Sequence, residues 1–374
     1  MNLVCVINSM GGGGAERVMS ILSEGLARRG HSVTVLTLDP SIPDFYPVPP
    51  GVERSKAEGP SGDCRWYQFA RQRERVRALR ASVLARGPDL VISFVDVTNV
   101  LTLAALKSSA IPVAVCEHIN PLQYRLPPHW ELLRRLLYPS AAAVVMLTAD
   151  TLPWARSMAR GTRVAAIPDP VPAPVFSPES QRPEFFGKGR NILGMGRLIE
   201  QKGFDILLRA FAKLSQGFQD WNLTILGEGP RRGALEDLRD RLGLAGRASL
   251  PGASRAPYDV LRHTDLFVLS SRFEGFGMAL AEAMTCGVAC VSFDCPSGPG
   301  LMVRNGVDGL LVPPKDEAAL ARAMVLLMSD DRRREELAAR APEVERRFGI
   351  EKYLDEWEAL MAELAGSAAR SRAS

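Results

Sequence analysis

The chain has 374 residues, 46% of them hydrophobic and 24% charged, with a formal net charge of +4. Single hydrophobic cores stop growing near ~250–300 residues, so two domains are expected, and this apolar content excludes wholesale disorder. The slight excess of positive charge lacks the dense basic stripe of a nucleic-acid binder, so no nucleic-acid partner is expected.

Leu3–Ile7 reads as a short first strand, which argues against a signal peptide because no positive segment precedes it. Four glycines, Gly11 to Gly14, follow it. Val18, Ile21, Leu22 and Leu26 then recur at helical spacing until Gly30, and Ser32–Leu38 is a second strand. Strand, glycine turn, helix and strand form the βαβ unit of a parallel sheet. Leu90–Phe94, Val113–Glu117 and Ala143–Leu147 continue it as nearly unbroken apolar runs, as strands covered on both faces do. No apolar run is long enough to cross a bilayer, and the chain reads as cytoplasmic.

Five prolines between Pro168 and Pro178 break the pattern and mark a semi-rigid connector. Strand and helix then alternate again through Ile192–Met195, Phe204–Leu214, Asn222–Leu226, Ala234–Leu242, Leu266–Leu269, Met278–Met284 and Ala289–Phe293. Helical segments at Glu317–Met328, Glu335–Glu345 and Tyr353–Leu364 close the chain, ahead of a small, polar tail. The expected fold class is α/β: two Rossmann-like domains, residues 1–170 and 171–349, facing across a cleft. Ligands of such sheets sit at the carboxyl ends of the strands. The six cysteines include no C-x-x-C pair, so they read as buried thiols rather than a zinc ribbon or a disulfide frame.

Three features of the second half converge. Arg197 and Lys202 lie five residues apart on a loop ending in Gly203, between a strand and a helix. Two cations there suit a diphosphate, although alone they would pass for surface charge. Glu274 precedes Gly275, Phe276 and Gly277 in a turn, and Glu282 lies in the helix that follows, among Ala279, Leu280, Ala281, Ala283 and Met284. A carboxylate in such an apolar helix is costly unless something bonds it, and ribose or sugar hydroxyls would serve. Finally, Asp294–Gly300 reads as a strand-end turn and Asn305-Gly306-Val307-Asp308-Gly309-Leu310-Leu311-Val312-Pro313 as a tight, hairpin-like segment.

Together these residues resemble those of retaining glycosyltransferases of the two-Rossmann-domain (GT-B) class, in the large sequence family numbered four. The glycine loop and Glu117-His118 extend the resemblance over the first half. The opening Gly-Gly-Gly-Gly-Ala-Glu-Arg-Val, Asp96–Val100 and Leu133–Pro139 look closest to the branch acting in exopolysaccharide and lipid-linked glycan assembly. The resemblance implies that Arg197 and Lys202 bind the donor diphosphate, that Glu274 contacts the donor sugar and that Glu282 contacts the ribose. It places Gly13 and Gly14 beside donor diphosphate and acceptor, makes His118 a transition-state contact rather than a general base, and implies a C-terminal helix, about 350–366, crossing back to the first domain. Relatives usually carry Glu soon after the Gly-Pro turn, where this chain has Leu301.

The implied reaction moves a hexose or N-acetylhexosamine from a nucleotide diphosphate sugar, with UDP the expected carrier, to a glycan hydroxyl, with retention and with neither metal nor cofactor. There is no Asp-x-Asp motif. A sugar-nucleotide 2-epimerase of the same fold, or a non-catalytic sugar-nucleotide-binding subunit, is the alternative; an NAD oxidoreductase lacks its dinucleotide fingerprint. Seven arginines against one glutamate between Arg65 and Arg86, opening with Trp66, Tyr67 and Phe69, fit an interfacial helix on an anionic membrane surface or an ordinary solvated one. Arg125–Tyr138 is a second basic and apolar candidate.

Overall fold

The computed structural model describes residues 1–39, 41–60 and 69–373. Arg65, Trp66 and Tyr67 lie outside them, as does Cys64. The chain divides into two compact units, Met1–Pro170 with Ile350–Ser374, and Val171–Gly349.

The sheet of the first unit has seven strands: β1 (Asn2–Ile7), β2 (Ser32–Thr37), β3 (Val52–Lys56), β4 (Leu90–Phe94), β5 (Val113–Glu117), β6 (Ala143–Met146) and β7 (Arg163–Ala166). All pair in parallel, in the order β3-β2-β1-β4-β5-β6-β7. The central strands β4, β5 and β6 are buried along their whole length because helices cover both faces. The edge strand β3 reads Val-Glu-Arg-Ser-Lys, and its charge and half-exposure hid it from a reading keyed to apolar runs.

The last helix, Ile350–Ala373, packs within this unit. Leu354, Trp357, Leu360, Met361 and Leu364 are buried at three- and four-residue spacing, the stripe of an amphipathic helix. A Cβ on Gly25 would lie 2.5 Å from a Leu354 methyl, so glycine permits the close approach of the helix Gly14–Arg28. Arg29 donates to Asp355 and Glu358, both at 2.7 Å, and reaches Glu351 at 2.5 Å.

The second unit holds six strands: β8 (Arg190–Met195), β9 (Trp221–Leu226), β10 (Ala248–Gly252), β11 (Leu266–Leu269), β12 (Cys290–Phe293) and β13 (Leu310–Val312). They too are parallel, ordered β10-β9-β8-β11-β12-β13. Strand order reverses between β8 and β11, which is where α/β sheets open a crevice at the strand ends. The Asn305–Val312 segment, read from sequence as hairpin-like, is instead a turn feeding the parallel edge strand β13. Asp308 builds that turn: its buried carboxylate accepts from the Arg304 amide and the Arg304 Nε, both at 2.7 Å. Among the described residues no helix is long and apolar enough to cross a membrane.

Candidate active site

Lys202 and Glu274 meet at the point where strand order reverses. The loop after β8 carries Arg197 and Lys202; the loop after β11 carries Glu274 and the Gly275-Phe276-Gly277 turn. Lys202 Nζ donates to Glu274 Oε1 at 2.7 Å and Oε2 at 2.9 Å. Ser271 Oγ adds a 2.5 Å bond to Oε1. Glu274 is only 4% exposed while Lys202 is part-buried, so a buried carboxylate holds the ammonium in one geometry. An ammonium has three N–H donors, and two face the carboxylate. The third makes no hydrogen bond among the described residues.

Several bonds tie the two loops together. Ser270 Oγ donates to the Lys202 carbonyl at 3.0 Å, and Gln201 Nε2 to the Phe273 carbonyl at 3.0 Å. Gly203 holds φ +63°, and a Cβ there would stand 2.0 Å from the Ser270 carbonyl oxygen, so any side chain would push the loops apart. Arg272 braces the same junction through a bidentate bond to Asp205, both contacts at 2.9 Å. Burial pushes the Asp205 carboxyl up, but the bonds from Arg272 and Arg209 outweigh it and bring it down to about 2.

Arg197 is exposed at the start of its loop, and its side chain makes no hydrogen bond or ion pair among the described residues. Phe276 is buried, with its ring edge-on to Phe348. Glu282 is buried in the helix Met278–Thr285 rather than lying on a solvent face. Leu301 is half exposed at the short helix Pro299–Met302.

The other expected residues belong to the first unit. Gly13 caps the helix Gly14–Arg28 after β1; none of Gly11 to Gly14 has a positive φ, so their smallness rather than backbone freedom sets them apart. His118 follows β5, and its ring lies 4.1 Å from that of Phe94. Strand β4 separates β1 from β5, so the glycine turn and His118 share the carboxyl edge of one sheet.

His118 Nδ1 lies 3.4 Å from Asp169 Oδ1, with both side chains buried. Burial opposes protonation, yet the neighbouring Cys116 and Asp169 raise His118 well above the ordinary imidazole range. Burial also pushes the Cys116 thiol up. Asp169 sits among the linker prolines, and nothing in the sequence marks it as a partner for His118.

Beside it lies a buried polar cluster. Tyr138 Oη donates to Glu117 Oε1. Asn99 Nδ2 donates to the Cys116 carbonyl at 2.9 Å, and Arg134 Nε is 3.7 Å from Glu117 Oε1. Burial raises the Glu117 carboxyl to about 6, partly offset by Arg134. Val95, at the end of β4, holds φ 74°, a strained conformation for a β-branched residue. Among the described residues no group of three or more His, Cys, Asp or Glu side chains could hold a metal ion.

The fold, two parallel-sheet α/β units, is that of the GT-B glycosyltransferases. Residues 176–344 match the family model Glycosyl transferases group 1, and residues 12–173 match Glycosyltransferase Family 4. The chain belongs to this glycosyltransferase family.

Among its relatives is the Campylobacter jejuni GalNAc-alpha-(1->4)-GalNAc-alpha-(1->3)-diNAcBac-PP-undecaprenol alpha-1,4-N-acetyl-D-galactosaminyltransferase. It is 28% identical over 366 residues, covering 97% of this chain and 99% of the relative. The solved sucrose-phosphate synthase from Thermosynechococcus elongatus superposes with a TM-score of 0.83 at 19% identity, over 98% of this chain and 100% of that one. Anabaena HepE, solved with UDP and glucose, does so at 0.80 and 18%, over 97% and 100%.

Proposed function

We propose that this glycosyltransferase moves a hexose or N-acetylhexosamine from a UDP-sugar to a hydroxyl of a lipid-linked glycan, retaining the anomeric configuration and needing no metal. The observation that carries the reading is the buried Lys202–Glu274 pair at the reversal of strand order, with exposed Arg197 on the same loop. The C. jejuni relative's undecaprenol-PP acceptor supports the lipid-linked glycan, and the UDP and glucose bound to HepE support the donor.

In the reaction the bond from the sugar C1 to the diphosphate oxygen breaks and a bond from C1 to the acceptor oxygen forms. The acceptor's proton leaves with the nucleoside diphosphate. Charge develops on the departing oxygen, and Arg197 and the third N–H of Lys202 meet it. Fixed donors of this kind are worth roughly 10²–10³ in rate. Glu274 orients Lys202 and accepts from donor-sugar hydroxyls, while Glu282 accepts from the ribose. Gly275, Phe276 and Gly277 shape the turn around the sugar. Gly13 and Gly14 offer backbone amides to the diphosphate, and His118, held as the imidazolium by Asp169, adds positive charge at the transition state.

Thermal shift against a nucleoside diphosphate panel tests the donor site, because a ligand at 100 times its Kd stabilises by about 2.7 kcal/mol. UDP should raise the midpoint, and Arg197→Ala should reduce that rise without changing the unliganded midpoint. Equal rises for wild type, Arg197→Ala and Lys202→Ala would remove the diphosphate role from this loop.

A further inference from the structure

Eleven large apolar side chains are exposed among the described residues, and five of them fall between Leu122 and Leu136. Leu132 and Leu136 are 58% and 64% exposed, with Leu133 beside them in the helix and Leu122 and Tyr124 exposed in the loop that leads into it. Leu132, Leu133 and Leu136 fall within about 100° of one another around the helix Pro128–Leu137; Arg134 is buried on the side away from Leu132, and buried Leu137 follows one turn after Leu133 at the margin of the exposed stripe.

That burial is firm. The Arg134 guanidinium lies 5.2 Å from the Trp154 ring and 5.8 Å from the Tyr138 ring, and it approaches Glu117, the residue before His118. An apolar face this exposed costs solubility unless something covers it.

The charge around the face is positive. Arg125 and Arg135 are exposed on this segment, against the partly covered Glu131. The neighbouring helix Leu152–Met158, which supplies Trp154, adds exposed Arg156, and Arg160 follows it. Exposed leucines with exposed arginines on the same segment and on the helix packed beside it match a bilayer surface with anionic headgroups, where apolar side chains enter the acyl boundary and cations meet the headgroups.

The more basic helix, Phe69–Leu84, is less suited. Its Arg75 is buried, its Arg80 donates to the Ala105 carbonyl at 2.7 Å, and Leu84 is its one exposed large apolar residue among those described.

We propose that the Leu122–Leu136 face is the membrane-docking surface of this enzyme, seated on anionic lipid and joined through Arg134 and Glu117 to the strand end that carries His118. The proposal rests on the lipid-linked acceptor reading. A lipid-tethered hydroxyl can be reached only at the bilayer, and this helix links the bilayer to the candidate site.

The test is flotation of the full chain with phosphatidylcholine vesicles, with and without phosphatidylglycerol. Leu132→Glu with Leu136→Glu should lower partitioning onto the anionic vesicles at least about tenfold, since one buried leucine alone is worth roughly a decade. Thermal midpoint and UDP binding should not change. Arg71→Gln, Arg73→Gln and Arg77→Gln together should retain most of the binding. The proposal is overturned if the leucine variant floats like wild type, if the arginine variant alone abolishes flotation, or if light scattering shows a dimer that the leucine changes dissolve. Flotation needs no acceptor. Loss of flotation in the leucine variant, without any transfer to a lipid-linked glycan, would therefore retain the docking face while rejecting the acceptor reading.

Discussion

Removing the ammonium from the Lys202–Glu274 pair should cost more than removing the carboxylate. Lys202→Ala leaves Glu274 buried with only the Ser271 hydroxyl as a side-chain partner among the described residues. At a separation near 2.8 Å and an effective dielectric of about 20, the gross attraction is roughly 6 kcal/mol. Desolvation offsets much of it, and breaking a buried pair from one side typically costs about 3–5 kcal/mol. The Lys202 side chain is still 16% exposed, so the low end, about 3 kcal/mol, is expected.

Glu274→Gln should cost only about 1 kcal/mol, because it keeps a polar group for Ser271 and frees Lys202 to turn towards water. The double variant should fall near 1.5 kcal/mol, giving a coupling of about 2.5 kcal/mol, within the range for residues in direct contact. Trp221 is the one tryptophan of the second unit, so fluorine-labelled tryptophan resonances followed through urea unfolding report that unit separately. In parallel, Lys202→Ala should lower kcat by about 10²–10³. Single-variant costs that add to within ~0.5 kcal/mol would show that the pair is not coupled and refute this account of the junction.

Three further outcomes follow from the same geometry. His118, raised above its ordinary range, contributes stability that is fully present below about pH 6.5 and is lost as pH rises through its folded value. Imidazole NMR should find it protonated at neutral pH, and Asp169→Asn should lower its titration; an unchanged titration would remove Asp169 as the cause. Glu117 is a carboxyl raised from 4.5 to about 6, so the folded state holds its proton more tightly and stability should fall by about 2 kcal/mol as pH rises across that interval. Glu117→Gln should flatten this slope, as chemical denaturation at a series of pH values would show. Transferase activity should persist in EDTA, since Arg197 and Lys202 supply the positive charge; loss in chelator restored by Mg²⁺ or Mn²⁺ would contradict that.

Much of the fold was legible because parallel strands covered on both faces write themselves as apolar runs: Leu90–Phe94 and Val113–Glu117 have the same bounds in the structure as in the sequence reading. Edge elements were not. Val52–Lys56 faces water and carries charge, and Leu310–Val312 is too short to show a period.

The site was legible where chemistry is local. Lys202 and Glu274 announce themselves by the glycines around them, and the structure joins them across 72 residues of chain. Their supports were hidden, because Ser271, Arg272 and Asp205 act through contacts that no spacing rule encodes. Asp169 was hidden likewise, a linker residue brought to His118 only by the folded chain. The Asn305–Gly309 motif was conspicuous, yet its Asp308 is committed to holding a turn.

The central claim is transfer of one sugar from a UDP-sugar to a lipid-linked glycan by the Lys202–Glu274 site. Mass spectrometry of a polyprenyl-diphosphate-linked glycan, incubated with each of a panel of UDP-hexoses and UDP-N-acetylhexosamines, tests it most directly. Wild type should add one sugar from at least one donor, and Glu274→Ala should add none on the same timescale. An unchanged acceptor with every donor, accompanied by an epimerised sugar nucleotide, would contradict it, as would full transfer by Glu274→Ala.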